Sequence, residues 1–160
     1  MVSRSARFLL LVTGLPALIS AGLSPGAETA LPGAVTIKTR YGFDTLVTRV
    51  EKAIADHKMG LVAQASASRG AAARGVKIPG NAVLMVFRND YAVRMLSASV
   101  PAGLEAPLPL YVTENSDGTA SLTYRVPSAV FAPYGSPALD KMAKELDAVF
   151  RNIVRDAAGG

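Results

Sequence analysis

Between Ser136 and Ala157 the apolar residues Leu139, Met142, Ala143, Leu146, Val149, Phe150 and Ile153 recur at steps of three and four, with charged residues between them. That spacing is one face of an α-helix. Ser136 is placed to cap the helix and Pro137 to occupy its first turn, where a missing amide hydrogen costs nothing. Asp140 with Lys144 and Asp147 with Arg151 fall on its outer face, as i,i+4 pairs. A one-sided helix of this length cannot bury its own stripe and needs a broad apolar surface to lie on. A second segment repeats the demand: Leu46, Val50, Ala53 and Ile54 form a stripe from Asp44 to about Lys58, with Arg49, Glu51, Lys52 and Asp56 outside it. Asp44 is expected to cap this helix and Gly60 to end it in the left-handed conformation.

The surface has to come from strands. Ala34 to Arg40 alternates Val35, Ile37 and Thr39 with Thr36, Lys38 and Arg40, and Leu61 to Ser68 alternates small residues. Ala82 to Phe87 is a continuous apolar run, which suits a central strand covered on both faces. Leu108 to Glu114 and Thr119 to Val126 are two more strands, joined by the turn sequence Asn115-Ser116-Asp117-Gly118. Arg69 to Gly80 reads as a loop carrying one helical turn at Ala71 to Arg74. Asp90 to Ser97 is expected to be a short helix with Val93 and Leu96 inward. The predicted fold is therefore α+β, a mainly antiparallel sheet of about five strands with two long helices on one face, in the order β-α-β-β-(short α)-β-β-α. One domain spans residues 34–157, and no internal repeat is present.

The start of the chain reads differently. Arg4 and Arg7 precede an uncharged apolar run from Phe8 to about Leu23, the order of a secretory signal. Gly14 and Pro16 interrupt a run already short of the ~20 residues a spanning helix needs. The expectation is a signal peptide over residues 1–27, cleaved between positions 21 and 30, and a periplasmic or secreted product that meets a membrane only during export. Loss of Arg4 and Arg7 lowers the formal charge from +5 to +3, or to +4 if Glu28 leaves as well. The remaining bases are scattered among acids, and the tyrosines and phenylalanines sit inside apolar patterns, so nucleic acid is not an expected partner. The absence of cysteine excludes disulfides, thiol catalysis and thiolate metal sites.

The segment Val83 to Phe87 followed by Arg88-Asn89-Asp90, then Ala102-Gly103-Leu104, Pro107-Leu108-Pro109-Leu110, Asp117-Gly118, and Tyr124 followed by Pro127, resembles the family called domain of unknown function 302. The resemblance covers roughly Val35 to Ala157. It departs from the family at Arg88 to Asp90, where glycine, asparagine and proline are typical. It implies a sheet and helices arranged as in the TATA-box-binding protein, and brings no reaction, cofactor or catalytic residue.

Candidate chemistry is sparse. His57, the one histidine, falls near the first helix's apolar stripe, where a packed ring with one bonded nitrogen is the ordinary outcome. The alternative joins it to Met59 as a soft site for copper(I) or an axial pair for haem. No other metal site and no cofactor is expected. Ser66 and Ser68 stand in no nucleophile elbow, and the acids Glu105, Glu114 and Asp117 have no catalytic pairing, the last two flanking a turn. Arg69, Arg74 and Lys77, with Arg88, could hold an anion. On the sheet face away from the helices, Leu61, Leu84 and Tyr124 are the residues expected to show, Tyr124 as a ligand contact. These features point to a binding module for a small apolar or anionic ligand. The alternative is a self-associating protein, such as a homodimer, with no small ligand, and an enzyme fits least. A lined cavity of a few hundred cubic ångströms would favour the first, a flat apolar patch the second.

Overall fold

The computed structural model describes residues 31–160; the expected signal peptide and its cleavage window lie outside the described residues. Five strands form one sheet: β1 (Ala34–Lys38), β2 (Gly60–Ala65), β3 (Asn81–Phe87), β4 (Leu108–Glu114) and β5 (Ala120–Arg125). Their order is β1-β5-β4-β3-β2, and every neighbouring pair is antiparallel. The helices are α1 (Phe43–Asp56), α2 (Ala67–Ala72), α3 (Asn89–Ala98), α4 (Pro127–Phe131) and α5 (Pro137–Ala158), with short 3₁₀ segments at Val100–Glu105 and Ala132–Tyr134. The α+β architecture read from the periodicities is present.

Cross-strand register sorts the side chains into two faces. On one, Gln64, Leu84, Leu110, Tyr124 and Val35 stand in a single row, flanked by a row of Ala82, Val112, Leu122 and Ile37. Leu84, Leu110, Val112 and Leu122 are fully buried there, under Leu46, Val50 and Ile54 of α1 and Leu139, Phe150 and Ile153 of α5. Tyr124 stacks against Phe150 with centroids 6.2 Å apart. At about 25 cal/mol per Å² of apolar surface, this layer supplies most of the folding drive.

Several local expectations change. Leu84 and Tyr124 belong to the helix-covered face, because β5's alternation puts Ala120, Leu122 and Tyr124 on one side and Ser121, Thr123 and Arg125 on the other. Val93 and Leu96 are 56% and 45% exposed; α3 buries Met95 instead. β2 ends at Ala65, because the Ser66 hydroxyl accepts from the Arg69 amide and starts α2 at Ala67, where the strand was expected to run on to Ser68. Asp44 sits inside the first turn of α1, whose cap position is Gly42. The turn after α1 is made by Lys58, with φ of 58°, while Gly60 already pairs with Phe87 in the sheet. A side chain at position 60 would press on the Phe87 carbonyl at 3.2 Å, so close backbone approach, and not a left-handed conformation, favours glycine there. The expected α5 cap is made as read: the Ser136 hydroxyl accepts from the Leu139 amide.

Candidate functional site

The five residues singled out for ligand contact do not converge. Arg69 lies on α2 and reaches Asp44 at 3.6 Å, while Arg74 and Lys77 are exposed on the segment leading into β3. Arg88 follows the other end of β3, whose seven residues separate it from Lys77 by roughly 20 Å. Tyr124 is in the core, where burial raises its hydroxyl pKa. No anion site is assembled from this set.

His57 and Met59 also part company. The His57 ring bonds Asp156 on α5 through Nε2 at 2.7 Å, rather than pointing into the sheet. That contact, with Arg155 beside it, holds the Asp156 carboxyl below the usual carboxylate range. Arg49 donates to the carbonyls of Ala157 and Asp156 at 2.6 and 2.8 Å, placing a cation on the open carbonyl end of α5. The group ties the middle of α1 and the residue after its end to the C-terminal end of α5. The three acids weighed for catalysis are each engaged locally. Glu105 accepts from the Tyr134 hydroxyl, Glu114 from the Gly80 amide, and Asp117 from Lys38 and Thr119.

Two features remain. The first is a slot at the junction of β3 and α3, holding about 30 Å³ and lined by Met59, Met95, Met142, Leu108, Phe131 and Leu146, with Arg88 and Tyr91 at its polar side. Arg88 grips Asp90 through two bonds of 2.7 and 3.0 Å and lies over the Tyr91 ring at 4.3 Å. Arg94 approaches the same ring at 5.4 Å and is held by Glu145 through bonds of 2.7 and 2.8 Å. Both carboxyls are thereby pushed below their ordinary range, and both guanidiniums are held charged and paired. Sequence reading missed this constellation, because its members come from five separate segments.

The second feature is the sheet face away from α1 and α5. Its central row runs Ala65, Val83, Tyr111, Thr123 and Thr36, with Ala63, Met85 and Pro109 in the row beside it. Over β2, β3 and β4 this face is apolar, and Tyr111 is 40% exposed in its middle. Over β5 and β1 it is polar: Thr36 and Thr123 share a hydrogen bond of 2.8 Å, and Lys38, Ser121 and Arg125 flank them. β2 is exposed along its whole length.

The family model for the domain of unknown function DUF302 matches residues 35–157. The chain belongs to this family. Among solved structures, it is similar to an uncharacterised conserved DUF302 protein from Bacillus stearothermophilus, at 20% identity and a TM-score of 0.70, covering 79% of this chain and 98% of that one. At that identity the likeness speaks for the fold. Comparison with curated proteins returns no match. The family thus accounts for the sheet and its helices; the methionine slot and the half-apolar face are described from this chain's own residues.

Proposed function

We propose that this DUF302 domain is an exported module that self-associates through the apolar half of its open sheet face. The observation that carries the reading is the cross-strand set Ala63, Ala65, Val83, Met85, Pro109 and Tyr111, an apolar surface on the face away from the two long helices. An apolar patch of this kind, rimmed by Thr36, Lys38, Ser121 and Arg125, marks an association surface. A binding module for a small ligand is less well supported, because the enclosed slot holds only about 30 Å³, and the larger concavities, such as one of about 600 Å³ lined by Tyr124, Lys38, Arg151 and Arg155, are open clefts on the surface.

A second copy fits the patch on symmetry. A two-fold axis through the β2–β4 half buries the same residues from both copies and sends Lys38 and Arg125 to opposite rims. Three strands about 4.8 Å apart and about 20 Å long make an apolar half-face of roughly 290 Å², so two such halves bury about 580 Å², below the ~1,000 Å² at which tight specific interfaces begin, and the association is weak. The dimer should therefore be reversible. Export rests on Arg4, Arg7 and the apolar run from Phe8 to Leu23.

The test is native mass by light scattering over a dilution series, on protein recovered outside the cytoplasm of a bacterium expressing the whole chain. The product should begin between Gly22 and Leu31, weigh two chains when concentrated, and fall to one on dilution. Tyr111→Glu should weigh one chain throughout. A parent that stays at one chain, or a variant that dimerises like the parent, removes the proposal.

A further inference from the structure

Four methionines fall within the described residues, and three of them, Met59, Met95 and Met142, line one slot. They come from three separate elements: the turn before β2, α3 and α5. All three are at least nine-tenths buried, at 7%, 4% and 2% exposure. Methionine is a common filler of irregular gaps, and packing alone would explain one or two such residues. Three thioethers around a single space of about 30 Å³ also make a donor set, because that space admits one water-sized group or one ion.

The chemistry of the walls selects the occupant. A water needs two to four polar partners, whereas Leu108, Phe131 and Leu146 offer none from their side chains, and the Arg88 guanidinium at the slot's polar side is already engaged by Asp90. Hard cations require carboxylate or carbonyl oxygens and borderline ones imidazole, and no group of three or more His, Cys, Asp or Glu residues is placed to hold a metal among the described residues. Thioether sulfur is a soft, neutral donor, suited to the copper(I) class of ion. The charge balance restricts the occupant further. With Arg88 bound to Asp90 and Arg94 to Glu145, the mouth carries no net charge to offset a buried cation. The cost of burying an ion rises steeply with its charge, so a monovalent cation is tolerated where a divalent one is not.

We infer that Met59, Met95 and Met142 form a thioether site for a single soft monovalent cation, copper(I), in the slot between β3, α3 and α5. The site lies on the helix-covered side of the sheet and does not depend on self-association.

The probe is silver(I), the redox-inert stand-in for copper(I), titrated as the metal alone into purified protein carrying ¹³C-labelled methionine methyls. One equivalent should shift the methyl signals of Met59, Met95 and Met142 together and leave Met85, on the open face, in place. Met95→Leu and Met142→Leu conserve volume and keep the core packed. Each should weaken silver binding by about tenfold or more, and copper(I) held against a competing chelator should follow the same order. Absence of a saturable one-equivalent shift in the parent overturns the inference. So does a shift confined to Met85, or parental affinity in both leucine variants.

Discussion

The two faces of this sheet are built from the same strands, one residue out of phase, and have opposite fates. On β4, Leu110 is fully buried beneath the helices while its neighbour Tyr111 is 40% exposed on the other side. On β3, Ala82, Leu84 and Val86 are buried, and Val83 and Met85 are only partly so, although all five belong to one unbroken apolar run. The difference is what lies above each face. Two long helices, each apolar along one stripe, supply enough surface to close one side. The remaining apolar side chains of β2, β3 and β4 stay with the solvent unless something else covers them.

The contrast can be broken most severely at its covered side. Phe150 is fully buried and stacks on Tyr124, so Phe150→Ala should cost about 3–5 kcal/mol in denaturant titration. A loss under about 1 kcal/mol would mean that α5 does not close the sheet as described. The adjacent pair on β4 sharpens the comparison within one strand. Leu110→Ala should cost about 2–5 kcal/mol, and Tyr111→Ala less than about 1 kcal/mol in dilute protein, where a dimer would not contribute. Equal losses at the two positions would erase the distinction between the faces.

The smallest effect is expected at the polar end of the open face. Lys38 at 2.8 Å, together with Thr119, holds the Asp117 carboxyl well below the usual carboxylate range. A depressed carboxylate contributes stability above its unfolded value of ~3.9, and that contribution is lost as pH falls toward the lower folded value. Asp117→Asn removes this dependence, so its melting temperature should fall less steeply with acid below about pH 4 than that of the parent. Parallel curves would show that the exposed pair contributes nothing.

Some of this was legible in the chain alone, and for a physical reason. Helix stripes and strand alternation are local patterns, so α1, α5, the β4–β5 hairpin and the cap at Ser136 follow from spacing within a few residues. β5 also declares its own faces, with Ala120, Leu122 and Tyr124 against Ser121, Thr123 and Arg125. β3 does not, because a continuous apolar run has no parity; Leu84 turns inward because Leu110 and Gln64 flank it in register. The short helix α2 was hidden by alternation that continues through Ser66 and Ser68. Its start depends on the Ser66 hydroxyl meeting the Arg69 amide, and on Asn81 accepting from the Ala67 amide across 14 positions.

What the sequence determined by itself is the five strands, the two long helices and the one-sidedness of those helices and of β5, because these are set by periods of 2 and 3.6 residues. Only the tertiary structure decided which residues from distant segments share a space. Met59, Met95 and Met142 are dozens of positions apart and carry no mutual spacing that could announce them. They meet because β3 leads directly into α3 while α5 returns across the same end of the sheet, and the volume left between those elements is a property of their packing.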